Sequence, residues 1–324
     1  MSVEPQGTDR ESQAPVVPGK RVMNWLNPFR RMLDNPVILK ELRGRMRGRQ
    51  AFILLTVYLG LIALLIGIIY AVLADQTSYY GGWDPSLRQT VGKVIFAAVV
   101  LLELLLISFI APGLTAGAIT AERERQTFDL LRTTLLSARS LVLGKLGSAS
   151  TYLFLLILTA LPIQSLAFLL GGVGIGELVA SSLMLVVTAV YYCALGIFFS
   201  SFMKRTLTAT VTSYGAILLS IVFIAVIGFV AVYLEAWSTD TKPVREYMLN
   251  ILVWFLISTN PFLSAILSET ILVDEQSLFL TNSLPFGNGN TYFPSPWITY
   301  VLLYVLLTIL MIFLSIRRVK RPDR

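Results

Sequence analysis

The sequence contains no histidine in its 324 residues, and Cys193 is its only cysteine. The missing imidazole excludes Ser/His/Asp and Cys/His nucleophilic catalysis, the two-histidine zinc helix and histidine-ligated haem. A lone cysteine forms neither an intrachain disulfide nor a thiolate metal cage, and within an apolar run it is typical of a small buried hydrophobic residue. Catalysis that depends on these groups is therefore excluded for this chain.

Charged residues are scarce as well. They make up 14% of the chain, against 55% hydrophobic residues, whereas a soluble domain has about 25% charged residues. Mean hydropathy is +0.72, and several uncharged runs reach the ~20 residues needed to cross a ~30 Å hydrocarbon layer. This composition excludes an ordinary water-soluble fold and predicts a polytopic helical membrane protein.

The apolar runs predict an all-α protein with six membrane-spanning helices. These spans are expected at residues 51–73, 94–119, 146–170, 178–201, 207–233 and 298–316. A further apolar run, residues 247–273, is long enough to span, but Asn260 and Pro261 divide it, because proline disfavours helical geometry at the preceding residue. We expect this run to form an outer hairpin that enters the membrane and returns, with Asn260 and Pro261 at its tip.

The basic residues predict the orientation of the chain. With six spans and a cytoplasmic N-terminus, all but four of the 26 lysines and arginines lie inside, the exceptions being Arg88, Lys93, Lys242 and Arg245. A full crossing by residues 247–273 would export the basic tail, residues 317–324, against the positive-inside bias. Both termini are therefore expected in the cytoplasm.

The segment before the first span is divided into two parts. Residues 1–33 are polar and interrupted by proline and glycine, which predicts a disordered tail. Asn35 and Pro36 then suit the start of a helix over residues 35–49, which we expect to lie in the membrane interface. Its apolar stripe consists of Ile38, Leu42 and Met46. The flanking cations, which would contact anionic lipid headgroups, are Lys40, Arg43 and Arg47. A solvated basic linker that fixes orientation is the alternative.

The loop between spans 2 and 3 carries the densest charge. Charged residues surround apolar ones there, as in a short amphipathic helix that presents mixed charge to a cytoplasmic surface. Such a helix could dock on a partner, because apolar anchors supply affinity and charges supply register. A solvated connector is equally compatible with the pattern. The residues concerned are Glu122, Arg123, Glu124, Arg125, Thr127, Phe128, Asp129, Leu131 and Arg132.

Taken together, these elements resemble the permease subunit of the type-2 ABC exporter family. The resemblance covers about residues 35–316, and it predicts a permease domain at residues 34–316. It rests on an elbow helix (NPVILKELRGRMRGR), a coupling helix (ERERQTFDLLRTT, then LVLGK) and a split hairpin (ISTNPFLSAI) among six spans. Gln126 and Leu135 depart from the small residue and the proline that members often have there. These departures predict a longer coupling helix.

The resemblance implies an ATP-driven exporter in the plasma membrane. In that family two permeases pair, as a homodimer or a heterodimer, and each coupling helix fits a groove on a separate ABC ATPase. The chain has no G-x-x-x-x-G-K-[ST] phosphate cradle, so ATP and Mg²⁺ would bind to the partner. We therefore expect a chain that is not an enzyme, binds no cofactor, contacts membrane lipid and has no nucleic-acid partner.

Glu103 is the one ionisable residue well inside a predicted span. Because a carboxylate there costs roughly 2.5 kcal/mol or more on insertion scales, it should face a partner or a water-filled cavity, and it is a functional candidate. A neutral acid that hydrogen-bonds between helices is the structural alternative. An ion-coupled carrier or channel that uses Glu103 is the second functional hypothesis, although such carriers usually need several intramembrane charges.

Overall fold

The computed structural model describes residues 49–79, 85–127, 137–237, 243–275, 279–281 and 293–320. This part of the chain is mainly helical, because a helix satisfies its own backbone hydrogen bonds in hydrocarbon. The helices are α1 (Arg49–Tyr79), α2 (Pro85–Thr115), α3 (Thr120–Glu124), α4 (Ala138–Leu169), α5 (Ile175–Phe202), α6 (Thr206–Trp237), α7 (Pro243–Thr259), α8 (Pro261–Glu275) and α9 (Pro296–Lys320). Two short antiparallel strands, β1 (Leu280–Thr281) and β2 (Phe293–Pro294), precede α9.

Within these ranges, six helices are long and apolar enough to cross a membrane: α1, α2, α4, α5, α6 and α9. Helices α7 and α8 form a bent pair whose axes differ by 113°, so α8 turns back instead of continuing the direction of α7. The predicted all-α architecture with six spans and a broken hairpin is therefore confirmed. The predicted elbow helix falls before Arg49, so Ile38, Lys40, Leu42, Arg43, Met46 and Arg47 lie outside the described residues.

Helix α4 begins earlier than the third apolar run. The third span was expected to begin near residue 146, where the apolar run begins, but α4 begins at Ala138. Ser137 explains the earlier start, because its side chain caps the helix by accepting a hydrogen bond from the Ser140 backbone N–H at 3.2 Å. Lys145 consequently lies inside the helix, where it is buried.

Helix α5 lies at the centre of the bundle and packs against α2, α4, α6 and α9. One of its faces consists of small buried residues spaced three or four apart: Ala189, Cys193, Gly196 and Ser200. Such residues let neighbouring helices approach closely. A Cβ atom on Gly196 would collide with Thr115 of α2, so α2 and α5 are in near backbone contact at this level. Cys193 is fully buried on this face, in agreement with the prediction that it is a small buried hydrophobic residue.

Candidate functional site

The chain leaves α2 through a turn that seats the short helix α3 against α5. The side chain of Ser200 accepts hydrogen bonds from the backbone N–H groups of Ile119 and Thr120, at 2.9 and 3.1 Å. Ser200 and Thr120 are fully buried, and a buried backbone donor without a partner is costly. We call residues Ile119–Thr127, together with the α5–α6 turn at 203–205, the α3 junction.

Glu122 connects the α3 junction to α4. Its Oε1 lies 2.7 Å from the Nζ of Lys145, and the two side chains are 25% and 5% exposed. Removing one partner of a buried ion pair leaves an uncompensated charge, which makes such pairs sensitive to substitution. Lys145 was read from sequence only as one of the cytoplasmic cations, and nothing in the local pattern marks it as the partner of Glu122.

Arg123 connects the same helix to the end of α5. Its Nη1 donates to the carbonyl oxygen of Met203 at 2.9 Å, and its Nη2 donates to that of Ser201 at 3.4 Å. The last carbonyl groups of a helix have no intrahelical partner and carry partial negative charge. The guanidinium of Arg123 therefore satisfies two carbonyl acceptors, and its positive charge is attracted by the partial negative charge at the C-terminus of α5.

Glu124 connects α3 to the beginning of α6. Its carboxylate accepts hydrogen bonds from the backbone N–H and from the hydroxyl of Thr206, at 2.7 and 2.9 Å. An acceptor with negative charge is favoured at a helix N-terminus, where N–H groups lack intrahelical partners. Three consecutive charged residues thus bind three different spans: Glu122 binds α4, Arg123 binds α5 and Glu124 binds α6.

The predicted long coupling helix is interrupted. Helix α3 ends at Glu124, because Gln126 adopts a left-handed backbone conformation with φ of 57°, which cannot continue a right-handed helix. Arg125, Gln126 and Thr127 are exposed. The remaining residues predicted to dock, Phe128, Asp129, Leu131 and Arg132, lie outside the described residues.

Glu103 is fully buried between α2 and α4, where its Oε1 accepts a hydrogen bond from the Nε2 of Gln164 at 3.0 Å. The predicted partner for this carboxyl is thus present. Gln164 was missed at the sequence level, and its only signal is a polar side chain within an apolar run. Within the described ranges, the second carboxyl oxygen of Glu103 has no hydrogen-bond partner.

Two substitutions separate the roles of Glu103. We expect Glu103→Gln to preserve assembly, because a carboxamide oxygen can accept from Gln164, whereas Glu103→Leu loses about 1 to 2 kcal/mol of helix association. Equilibrium unfolding in mixed micelles measures the difference. Transport at matched expression is the second measurement: a fall in the Gln variant indicates a charged functional role, and unchanged stability and transport in both variants removes Glu103 from the site.

The hairpin tip is buried and bound to two spans. Asn260, which is 1% exposed, accepts hydrogen bonds from the backbone N–H groups of Phe262 and Leu263 at 3.0 and 3.2 Å, and so caps α8. Its Nδ2 donates to the carbonyl oxygen of Ile221 on α6 at 2.8 Å. Irregular backbone at membrane depth is tolerated where protein satisfies it, and here one side chain satisfies both the break and a neighbouring helix.

Two tyrosines of α9, Tyr300 and Tyr304, connect the other side of the tip to α9 and α5. The hydroxyl of Tyr304 donates to the carbonyl oxygen of Thr259 at 3.0 Å. The rings of Tyr300 and Tyr304 are stacked with centroids 4.1 Å apart, and the hydroxyls of Tyr300 and Thr188 lie 2.6 Å apart. Sequence reasoning did not identify this cluster, because tyrosines in an apolar run have no distinguishing spacing.

A groove of about 610 Å³ lies between α2 and α6, with Phe262 of α8 at one wall. Its two hydroxyls, Ser108 and Tyr214, donate to the backbone carbonyls of Leu104 and Phe109 at 2.7 Å each. The other lining residues are one glycine and residues with apolar side chains. The groove therefore offers apolar contact without a charged group that could orient a polar ligand.

Comparison with known proteins agrees with this architecture. The family model described as "ABC-2 family transporter protein" matches residues 36–324, which is most of the chain and includes every described span. The search of curated proteins found no match. Members of this family form the membrane component of ABC transporters and are not themselves catalytic. The chain therefore belongs to the ABC-2 transporter family and is a multi-pass membrane permease subunit of an ABC transporter.

Proposed function

We propose that the chain is the permease of an ATP-driven exporter in the plasma membrane. A separate ABC ATPase binds ATP and Mg²⁺ and docks at the α3 junction, and a second permease, identical or different, completes the transporter. The family supports an ATPase partner and a dimeric arrangement in general. The observation that carries the proposal is the binding of Glu122, Arg123 and Glu124 to α4, α5 and α6.

These contacts indicate two different roles among the predicted coupling residues. Because Glu122, Arg123 and Glu124 are occupied within the chain, they are suited to transmit a displacement of α3 to three spans. Docking is then left to the exposed Arg125 and Thr127 and to the residues that follow. This division changes the expected effect of reversing the glutamate charges, since reversal would disrupt the permease itself before it disturbed a partner.

Helix α6 provides a continuous connection from this junction to the hairpin. Its N-terminus is capped by Glu124, and fifteen residues further along the chain the carbonyl oxygen of Ile221 accepts from Asn260. A rigid helix bound at both levels moves as one body. We propose that motion applied at α3 passes along α6 and opens or closes the hairpin as an outer gate.

Docking is tested with Phe128→Ala. As an apolar anchor on the proposed surface, Phe128 should weaken ATPase binding by roughly 2 kcal/mol or more when truncated. The measurement is the amount of ATPase that co-purifies with the tagged chain, together with ATP hydrolysis by the complex. Phe279→Ala is the control, since Phe279 is exposed on the segment after the hairpin. Full binding and full hydrolysis in the Phe128 variant would contradict docking at this loop.

Orientation is tested by cysteine labelling in a Cys193→Ser background. With the N-terminus inside, cysteines at Ser78 and Asn288 should react with an impermeant thiol reagent added to intact cells, whereas one at Ser137 should react only after the membrane is opened. Ser137 is exposed at the N-terminus of α4, so its side chain is accessible from its own side of the membrane. Labelling of Ser137 from outside would reverse the proposed topology.

The geometry does not favour the ion-coupled alternative. Glu103 is fully buried and bound to Gln164. It does not line the α2–α6 groove or the small cavity between α2, α5 and α8. A coupling carboxylate needs access to its ion. Transport that continues after ATP depletion would favour this alternative over the exporter.

A further inference from the structure

A small cavity between α2, α5 and α8 combines carboxylates with apolar walls. It lies at the end of the bundle opposite α3, since Glu177 belongs to the first turn of α5 and the last turn of α5 contacts α3. Its volume is about 30 Å³, enough for one or two groups of the size of water. The side-chain oxygens around it belong to Glu177, Ser181, Ser268 and Glu269. We call it the Glu269 cavity.

Two of these oxygens are buried without a hydrogen-bond partner among the described residues: a serine hydroxyl, which can donate or accept, and a carboxylate oxygen, which accepts when ionised. Ser268 is 5% exposed, and within the described part of the chain neither its Oγ nor the Oε1 of Glu269 has a hydrogen-bond partner. Two neighbouring hydroxyls are paired, because Ser181 donates to the carbonyl oxygen of Leu178 and Thr270 to that of Leu267, at 3.1 and 2.9 Å. The hydroxyl of Ser264, one turn before Ser268, also lacks a partner among the described residues, but Ser264 does not line the cavity. Buried polar atoms are nearly always paired in native proteins, which points to a ligand here.

The local charges set the sign of that ligand. Glu269 lies within electrostatic range of Glu177 on α5 and of Lys93 on α2. Glu177 also uses one oxygen to cap α5, accepting from the Gly174 backbone N–H at 3.1 Å. Two carboxylates and one ammonium leave one negative charge in excess when all three are ionised, so a ligand with a single positive charge balances the cavity.

The walls distinguish an organic cation from a metal ion. Calcium takes six to eight oxygen ligands, whereas oxygen-bearing side chains come from four residues here and the remaining lining is apolar, with the indole of Trp297 on one side. The ammonium of a primary amine has about the size of a water molecule and needs only about three acceptors, so it fits this space, and an aromatic ring attracts it further. The carbon chain is too large for the same space and would extend out of it along the apolar part of the lining. We propose that the Glu269 cavity binds the ammonium group of a primary amine with an apolar body, held by Glu269, Ser268 and Glu177.

The test uses the purified full chain in lipid nanodiscs and n-butylammonium as the probe. We expect butylammonium to raise the thermal unfolding temperature in a saturable manner, while n-butanol at equal concentration does not. Ser268→Ala and Glu269→Gln should each weaken binding roughly tenfold or more, because each removes an acceptor of a charge-assisted hydrogen bond. The control, Thr270→Ala, alters an exposed neighbour on α8 and should retain full affinity.

Ser268→Ala also keeps the test independent of folding. Because it removes an oxygen without a partner, it should leave the unfolding temperature without amine unchanged or higher, and only the amine-dependent rise should shrink. Equal stabilisation by butanol would reduce the site to an apolar cavity. Stabilisation by Na⁺ or Ca²⁺ but not by the amine, or an undiminished amine effect in both Ser268→Ala and Glu269→Gln, would overturn the proposal. Since none of these measurements involves the ATPase, they are independent of the proposed export function.

Discussion

Lys145→Met is expected to destabilise the permease by about 3 kcal/mol, toward the lower end of the range for breaking a buried ion pair. The ammonium of Lys145 is buried 2.7 Å from Glu122, whose side chain is 25% exposed, so solvent screens the remaining carboxylate in part. Equilibrium unfolding in mixed micelles measures the loss. Arg139→Met is the matched control, because Arg139 is an exposed cation on the same helix, and it should cost less than about 0.5 kcal/mol.

The double variant Glu122→Gln with Lys145→Met identifies the cause of that loss. If the uncompensated charge is responsible, removing it should recover much of the stability, since neutral replacement of a buried pair is often close to neutral overall. Recovered stability without recovered ATP hydrolysis by the complex would show that the α3–α4 link is needed for coupling. A loss in Lys145→Met no larger than in Arg139→Met would contradict the role assigned to the pair.

Asn260→Ala should produce the second large effect, a loss of about 2 to 3 kcal/mol. The substitution removes the N-cap of α8, which contributes about 0.5 to 2 kcal/mol, and also the hydrogen bond to Ile221, for which interhelical bonds in membranes average about 0.6 kcal/mol. Because the N–H groups that the cap satisfies are part-buried, the loss of the cap should lie at the upper end of its range. The measurement is again equilibrium unfolding, with Thr270→Ala as the control on α8.

Asn260→Ser separates the cap from the link to α6. Serine caps helices about as well as asparagine, but its hydroxyl is too short to reach Ile221 as the amide does, so we expect a loss of only about 1 kcal/mol. If the link transmits motion, the serine variant should still lose transport at matched expression while most of its stability remains. Normal transport in Asn260→Ser would show that the hydrogen bond from the Asn260 side chain to Ile221 has no part in gating.

The spans and the hairpin break could be predicted because their causes are local. A run of about 20 apolar residues is recognisable without knowledge of its neighbours, and Pro261 restricts the residue before it whatever surrounds them. The first residues of the helices were harder to predict from sequence. The N-cap Ser137, for example, starts α4 before the apolar run begins, so hydropathy alone does not locate it. The left-handed Gln126 was likewise missed, because a glutamine in that conformation is stabilised by its surroundings and not by its own preference.

The functional junction shows the other limit. Glu122 pairs with a residue 23 positions away, and Arg123 and Glu124 bind groups about 80 positions away. The sequence pattern left open whether these three charges face solvent or a partner, and the resemblance implied a partner. Charge alone does not distinguish an internal contact from an external one. The same holds for Gln164 beside Glu103, where two polar residues become a pair only when α2 and α4 pack together.

The sequence by itself determined the membrane environment, the six spans, the divided hairpin and the family, because hydropathy, proline geometry and element order are properties of neighbours along the chain. Only the tertiary structure decided that α3 is bound to α4, α5 and α6, that Asn260 is bound to α6, and that Ser268 and Glu269 share a cavity with Glu177. Each of these requires helices distant in sequence to pack at a particular rotation and height. The rotation and height of each helix are set by close contacts between helices, such as that of Gly196 with Thr115. All the helices of the bundle must satisfy such contacts at the same time.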